Sequence, residues 1–66
     1  MEQDIRLNWP DLVKEAIKRR KEQKLTQMQM AVLAGISKPT VNAFEQGRTS
    51  ITLENATKIL SLLGLA

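Results

Sequence analysis

The sequence predicts an all-α fold, a compact bundle of four to five short helices. Three observations carry that expectation. Asn8, Thr26, Ser37 and Thr52 are capping-type residues, and each stands just before a segment with apolar residues at helical spacing. Gly35, Gly47 and Gly64 each follow the end of such a segment, where a left-handed residue lets the chain reverse. Finally, the chain has 66 residues with no Cys and no His. It therefore lacks disulfide staples and the commonest zinc, copper and haem ligands. A small chain without staples favours a tight helical bundle or a dimer.

Length allows one domain, and a domain this small buries only about 60% of the surface its unfolded chain exposes. Residues 1–8 read as an N-terminal arm and residues 9–66 as the domain proper. In the arm, Ile5, Leu7 and Trp9 alternate. Alternation suggests a strand fragment, here one able to pair with a second subunit. The plainer reading is a loose tail whose Trp9 covers an end of the core. The first helix starts at an Asn8 cap, with Asp11 three residues on and Pro10 in the first turn. Leu7 is placed to staple onto Leu12. Leu12, Val13, Ala16 and Ile17 form its apolar stripe, and it ends near Gln23. Its second half carries Lys18, Arg19, Arg20, Lys21 and Lys24 against Glu22. Such a run is either a solvated face or a phosphate-neutralising one.

Residues 26–47 read as two short helices joined by a tight turn. Thr26 and Gln29 have the spacing of a capping box. Gly35 closes the first helix, Ile36 anchors the turn and Ser37 caps the second, with Pro39 in its first turn. Ala31 is small enough for two steeply crossing helices to approach. Val41 and Phe44, three apart, share the inner side of the second helix. Lys38, Thr40 and Asn42 have little core to fill. Met28, Met30, Val32 and Leu33 read as core and its margin. Of these, Met28 and Val32, one turn apart, face outward as a candidate protein-binding patch. Beyond Gly47 lies a polar loop, Arg48-Thr49-Ser50. Thr52 then caps a last helix that carries Leu53, Ala56, Ile59, Leu60 and Leu63 on one side, and Gly64 ends it.

The formal net charge is +3, a mild pointer to a polyanionic partner. No stretch approaches the ~20 apolar residues of a membrane span. The N-terminus shows no charged region followed by an apolar run, so a cytoplasmic protein is expected. With no His, Cys or Tyr, no nucleophile–base pair stands at readable spacing, and no enzyme, metal or cofactor is expected.

Thr26, Gln27, Ala31, Gly35, Ile36, Ser37, Thr40, Val41, Phe44, Glu45 and Gly47 all stand at one family's spacing. In these positions the chain resembles the Cro/CI-type helix-turn-helix, or XRE family, of bacterial and phage regulators. The likeness extends more loosely over residues 12–65. It implies a lambda-repressor-like DNA-binding domain of four helices, the fifth helix of many members being shortened or absent. It implies a sequence-specific double-stranded DNA-binding transcriptional regulator, expected to be a repressor and nucleoid-associated, with helix 37–46 in the major groove. By position, Lys38, Pro39, Asn42 and Ala43 would meet base edges. Lys38 suits the O6 and N7 of guanine, Asn42 suits adenine, and Pro39 and Ala43 suit thymine methyls. The family usually has a polar residue where Pro39 stands. Gln27, Ser37, Thr40 and Arg48 would hold phosphates. Arg20 and Glu45 would form the buried pair common in the family.

One such domain covers only about 600–1,000 Å² of surface on DNA, so a homodimer reading two half-sites is expected. Ile51, Leu62 and Leu65 are the candidate dimer interface, as this region is in the family. A second reading is an antitoxin-like or adaptor protein, binding a toxin or other regulator and controlling its own operon through the same motif. The run TVNAFEQGRTSITLENATKILSLLGL is similar to the small HipB-type antitoxins. Those usually continue into a strand and tail, so the similarity supports the DNA-binding half.

Overall fold

The computed structural model describes residues 8–66. Four helices follow one another: α1 (Trp9–Glu22), α2 (Gln27–Ala34), α3 (Lys38–Glu45) and α4 (Leu53–Leu62). There is no strand among the described residues. The pairing of the arm and the staple from Leu7 fall outside them. Trp9 does not continue an alternating arm; it is the first residue of α1. Its ring meets Phe44 edge-on, with centroids 5.5 Å apart and planes at 86°, and its indole N–H donates to the carbonyl of Gly47 at 3.2 Å. The apolar body is covered while the polar N–H is satisfied. One side chain thus ties the start of α1 to the end of α3.

Each helix begins on a side-chain cap. Thr26, Ser37 and Thr52 accept from the backbone N–H three residues on, at 3.0, 3.2 and 3.1 Å. Asn8 does so at a longer 3.5 Å. At α2 the box is closed, because Gln29 Oε1 accepts from the Thr26 N–H at 2.9 Å. Each helix also ends in the same pair of reversed hydrogen bonds, the Schellman arrangement. For α2 these run from Gly35 N–H to Val32 O and from Ile36 N–H to Ala31 O. For α3 they run from Gly47 N–H to Phe44 O and from Arg48 N–H to Ala43 O. The left-handed residue is glycine after α2, α3 and α4, but after α1 it is Lys24, at φ 59°. The sequence gives no sign of that exception.

Val13, Ala16, Met30, Ala31, Val41, Phe44, Ile59 and Leu63 make one core. Phe44, Met30, Ile59 and Val41 are its largest fully buried side chains. Two expectations about the core need correcting. Leu53 is not part of the α4 stripe; it stands 82% exposed at the first helical position. Side chains tilt toward a helix N-terminus, so a first-turn residue projects past the packed surface that Ala56, Ile59 and Leu63 share. Leu33 is 61% exposed and not at a core margin. At about 100° per residue, it sits well round the helix from the side on which Met30 and Ala31 are buried.

Candidate nucleic-acid interface

α2 and α3 pack closely against each other. Ala31 is buried on α2, and its lack of bulk permits the close crossing expected of it. Val41 and Phe44 are fully buried on the inner side of α3. Because that side is fixed, the other is fixed too. Lys38, Pro39 and Asn42 are exposed, and Ala43 is half-buried beside them. All four residues placed at base edges by position therefore lie on α3, the first two in its first turn. Ser37 Oγ accepts from the Thr40 N–H and lies 2.8 Å from Thr40 Oγ1. The two hydroxyls are locked together at the helix mouth. Arg48 is exposed just after α3, with its Nε donating to Gln46 Oε1 at 3.0 Å.

A largely buried polar cluster joins α1, α2 and α3. Arg20 Nε donates to Glu45 Oε2 at 2.6 Å and Arg20 Nη2 donates to Glu45 Oε1 at 3.2 Å. Two parallel bonds of this kind are the strong, geometrically specific form of an ion pair. The side chains are 12% and 8% exposed. Arg20 Nη1 also donates to the carbonyl of Leu25 at 2.7 Å. Gln27, the first residue of α2, joins the cluster, with its Nε2 donating to Glu45 Oε1 at 2.8 Å. Reading the sequence alone misses that bond, since no local spacing relates residues 27 and 45.

The basic run on α1 divides in two. Arg19 is engaged within the protein, with its Nε on Glu15 at 3.1 Å and its Nη1 on the carbonyls of Leu63 and Gly64 at 3.2 and 3.3 Å. It caps the end of α4 from α1. Arg20 is engaged as described. Lys18, Lys21 and Lys24 remain exposed. Among the described residues no carboxylate lies within ion-pairing distance of them, nor of Lys38. Among the described residues these lysines, like Arg48, carry exposed positive charge with no carboxylate partner. Ile51, Leu62 and Leu65 are half-buried and pack against the core. On the outer side of α2, Leu25, Met28, Gln29, Val32 and Leu33 line an open groove of about 340 Å³.

A family model described as helix-turn-helix, of the Cro/CI type, matches residues 17–66. The chain belongs to that family. This helix-turn-helix protein is also similar to an uncharacterized HTH-type transcriptional regulator of Haemophilus influenzae. The two are 36% identical over 53 residues, covering 80% of this chain and 54% of the relative. The chain thus spans about half the length of that curated relative. The two helices of the helix-turn-helix are α2 and α3, and α3 is the second.

Proposed function

We propose that the protein is a sequence-specific double-stranded DNA-binding transcriptional regulator that represses by occupying its operator with α3. One observation carries the reading. The inner side of α3 is fully buried through Val41 and Phe44, while Lys38, Pro39 and Asn42 stand exposed on its outer side. A major groove about 12 Å wide admits one such helix. Lys38 then reaches guanine, Asn42 reaches adenine, and Pro39 and Ala43 meet thymine methyls. Gln27, Ser37, Thr40 and Arg48 hold phosphates at the rim and set register. The designation of the Haemophilus relative as a transcriptional regulator points the same way. Such a protein works at the nucleoid, in the cytoplasm. Two copies share a palindromic operator, with Ile51, Leu62 and Leu65 as their interface.

Selection of bound duplexes from a random pool, with affinity measured across salt concentrations, tests this. The expected outcome is a short enriched half-site and a log Kd that climbs linearly with log salt. Equal recovery of all sequences would rule out base reading by α3.

One observation favours a second reading, in which the same chain also binds a toxin or other regulator. The outer side of α2 leaves Met28, Val32 and Leu33 54%, 72% and 61% exposed. Val32→Glu should then abolish a complex with that partner and leave operator binding intact.

A further inference from the structure

We infer that Glu45 is a positioning residue for DNA binding, acting through the carboxamide of Gln27. The inference rests on the DNA-binding reading above. A carboxylate only accepts hydrogen bonds when ionised, and a Gln amide carries one accepting and one donating end. Glu45 Oε1 lies 2.8 Å from the Gln27 side chain. Only the donating end can face it, because two carbonyl-type oxygens at that distance repel. The polarity of the Gln27 amide is thereby set by chemistry. Its Nε2 carries two protons, and Glu45 takes one. The second leaves Gln27 able to donate to a phosphate oxygen at the N-terminus of α2.

Arg20 is needed for the arrangement to work. A bare carboxylate behind Gln27 would repel the phosphate that Gln27 grips. The guanidinium holds both oxygens of Glu45, at 2.6 and 3.2 Å, and cancels its charge. Arg20 also donates to the carbonyl of Leu25 at 2.7 Å, two residues before Gln27, which ties down the chain entering α2. The ion pair thus aims a neutral phosphate donor as well as holding three helices. A neutral donor releases no counterion of its own, so its loss lowers affinity on every sequence without flattening the salt dependence.

The test is a double-mutant cycle on operator affinity, using the duplex that the random pool yields. Q27A should weaken binding by about 10–100-fold, the range of one hydrogen bond to a charged group, with the salt slope unchanged. Removing one member of the pair risks unfolding the domain, so the pair is replaced together, as R20M/E45L. Such apolar replacements of buried pairs are often neutral or stabilising. That variant should remain folded by circular dichroism and lose a similar factor. In the Q27A background it should lose almost nothing further. An equal loss in both backgrounds would show a purely structural pair and overturn the inference, as would a Q27A protein that binds normally. A second readout needs no DNA. The two Nε2 protons of Gln27 should have widely separated NMR shifts in the unmodified protein and ordinary ones in R20M/E45L, and unchanged shifts would also overturn it. If the unmodified protein binds no duplex at all, the functional reading falls and this inference with it. If it binds but is indifferent to Q27A, only this inference falls.

Discussion

Under the proposed function Lys38 is the residue on which base reading would turn, and its setting supports that role. It is the first residue of α3, exposed, with no carboxylate near it among the described residues. Among the described residues no carboxylate competes for its ammonium. Lys38→Ala is expected to lose about 1–3 kcal/mol at one base pair of the half-site and little elsewhere. Competition binding with single-base variants of the operator checks this, and a uniform loss across the variants would move Lys38 to the backbone. Arg48 is expected to behave in the opposite way. It is exposed after α3, its Nε donating to Gln46 Oε1 at 3.0 Å, and it is proposed to hold the strand from the rim. Arg48→Ala should weaken all sequences alike and reduce the slope of log affinity against log salt by about one unit. Salt titrations of the two variants, run together, separate the roles. At this scale the sequence reveals which residues are outward and polar, because α3 has only two core anchors. It does not reveal what those residues touch. That Arg19 caps α4 and that Gln27 binds Glu45 are facts about packing between segments far apart in the chain.

The helices themselves were legible almost to the residue, since their limits are written in local chemistry. A hydroxyl or amide at each start satisfies an otherwise open backbone N–H. Three of the four ends carry glycine at a φ between 74° and 80°. The fourth end was not legible, because Lys24 carries a Cβ yet sits at φ 59°. The Schellman bonds from Lys24 N–H to Lys21 O and from Leu25 N–H to Arg20 O hold it there. They persist because Leu25 and Arg20 are fixed by the cluster around Glu45. A left-handed conformation costs a non-glycine residue about 1–2 kcal/mol, partly offset by glycine's greater freedom when unfolded. Lys24→Gly should therefore stabilise the domain by about 0.5–1 kcal/mol, read as a raised urea midpoint with an unchanged m-value. A lower midpoint would mean that the lysine side chain makes a stabilising contact. Thr26→Ala should act in the other direction, costing about 1 kcal/mol, because it removes the Oγ1 that accepts from the Gln29 N–H. Leu53 and Leu33 show the limit of periodicity. Helical spacing marks which residues share a face, but how far along and around the helix its neighbours reach depends on the bundle.

At the scale of the whole molecule, the same economy of packing bears on how DNA would be read. Total stability at roughly 0.05–0.15 kcal/mol per residue leaves a domain of this size little to spare. It can present one short helix rigidly, and one helix meets only a few base pairs. Under the proposed function, specificity against a genome comes from two copies acting at a fixed distance. The half-buried Ile51, Leu62 and Leu65 are partly spent on the core, so an interface built on them alone would be weak in free solution and strengthened when both copies sit on one duplex. Binding to a palindrome with its half-sites one helical turn apart, about 34 Å, should accordingly be cooperative. Inserting half a turn of DNA between the half-sites places the second copy on the opposite side of the duplex. Cooperativity should vanish there and return on inserting a full turn only if the contact can stretch. Leu62→Ala should weaken cooperativity at the correct spacing while leaving single half-site affinity intact in protein shown by circular dichroism to be folded, since residue 62 lies at the end of α4 and outside the α2–α3 motif. Gel-shift titrations on the three spacings decide it, and binding that ignores spacing would mean that each copy reads DNA alone.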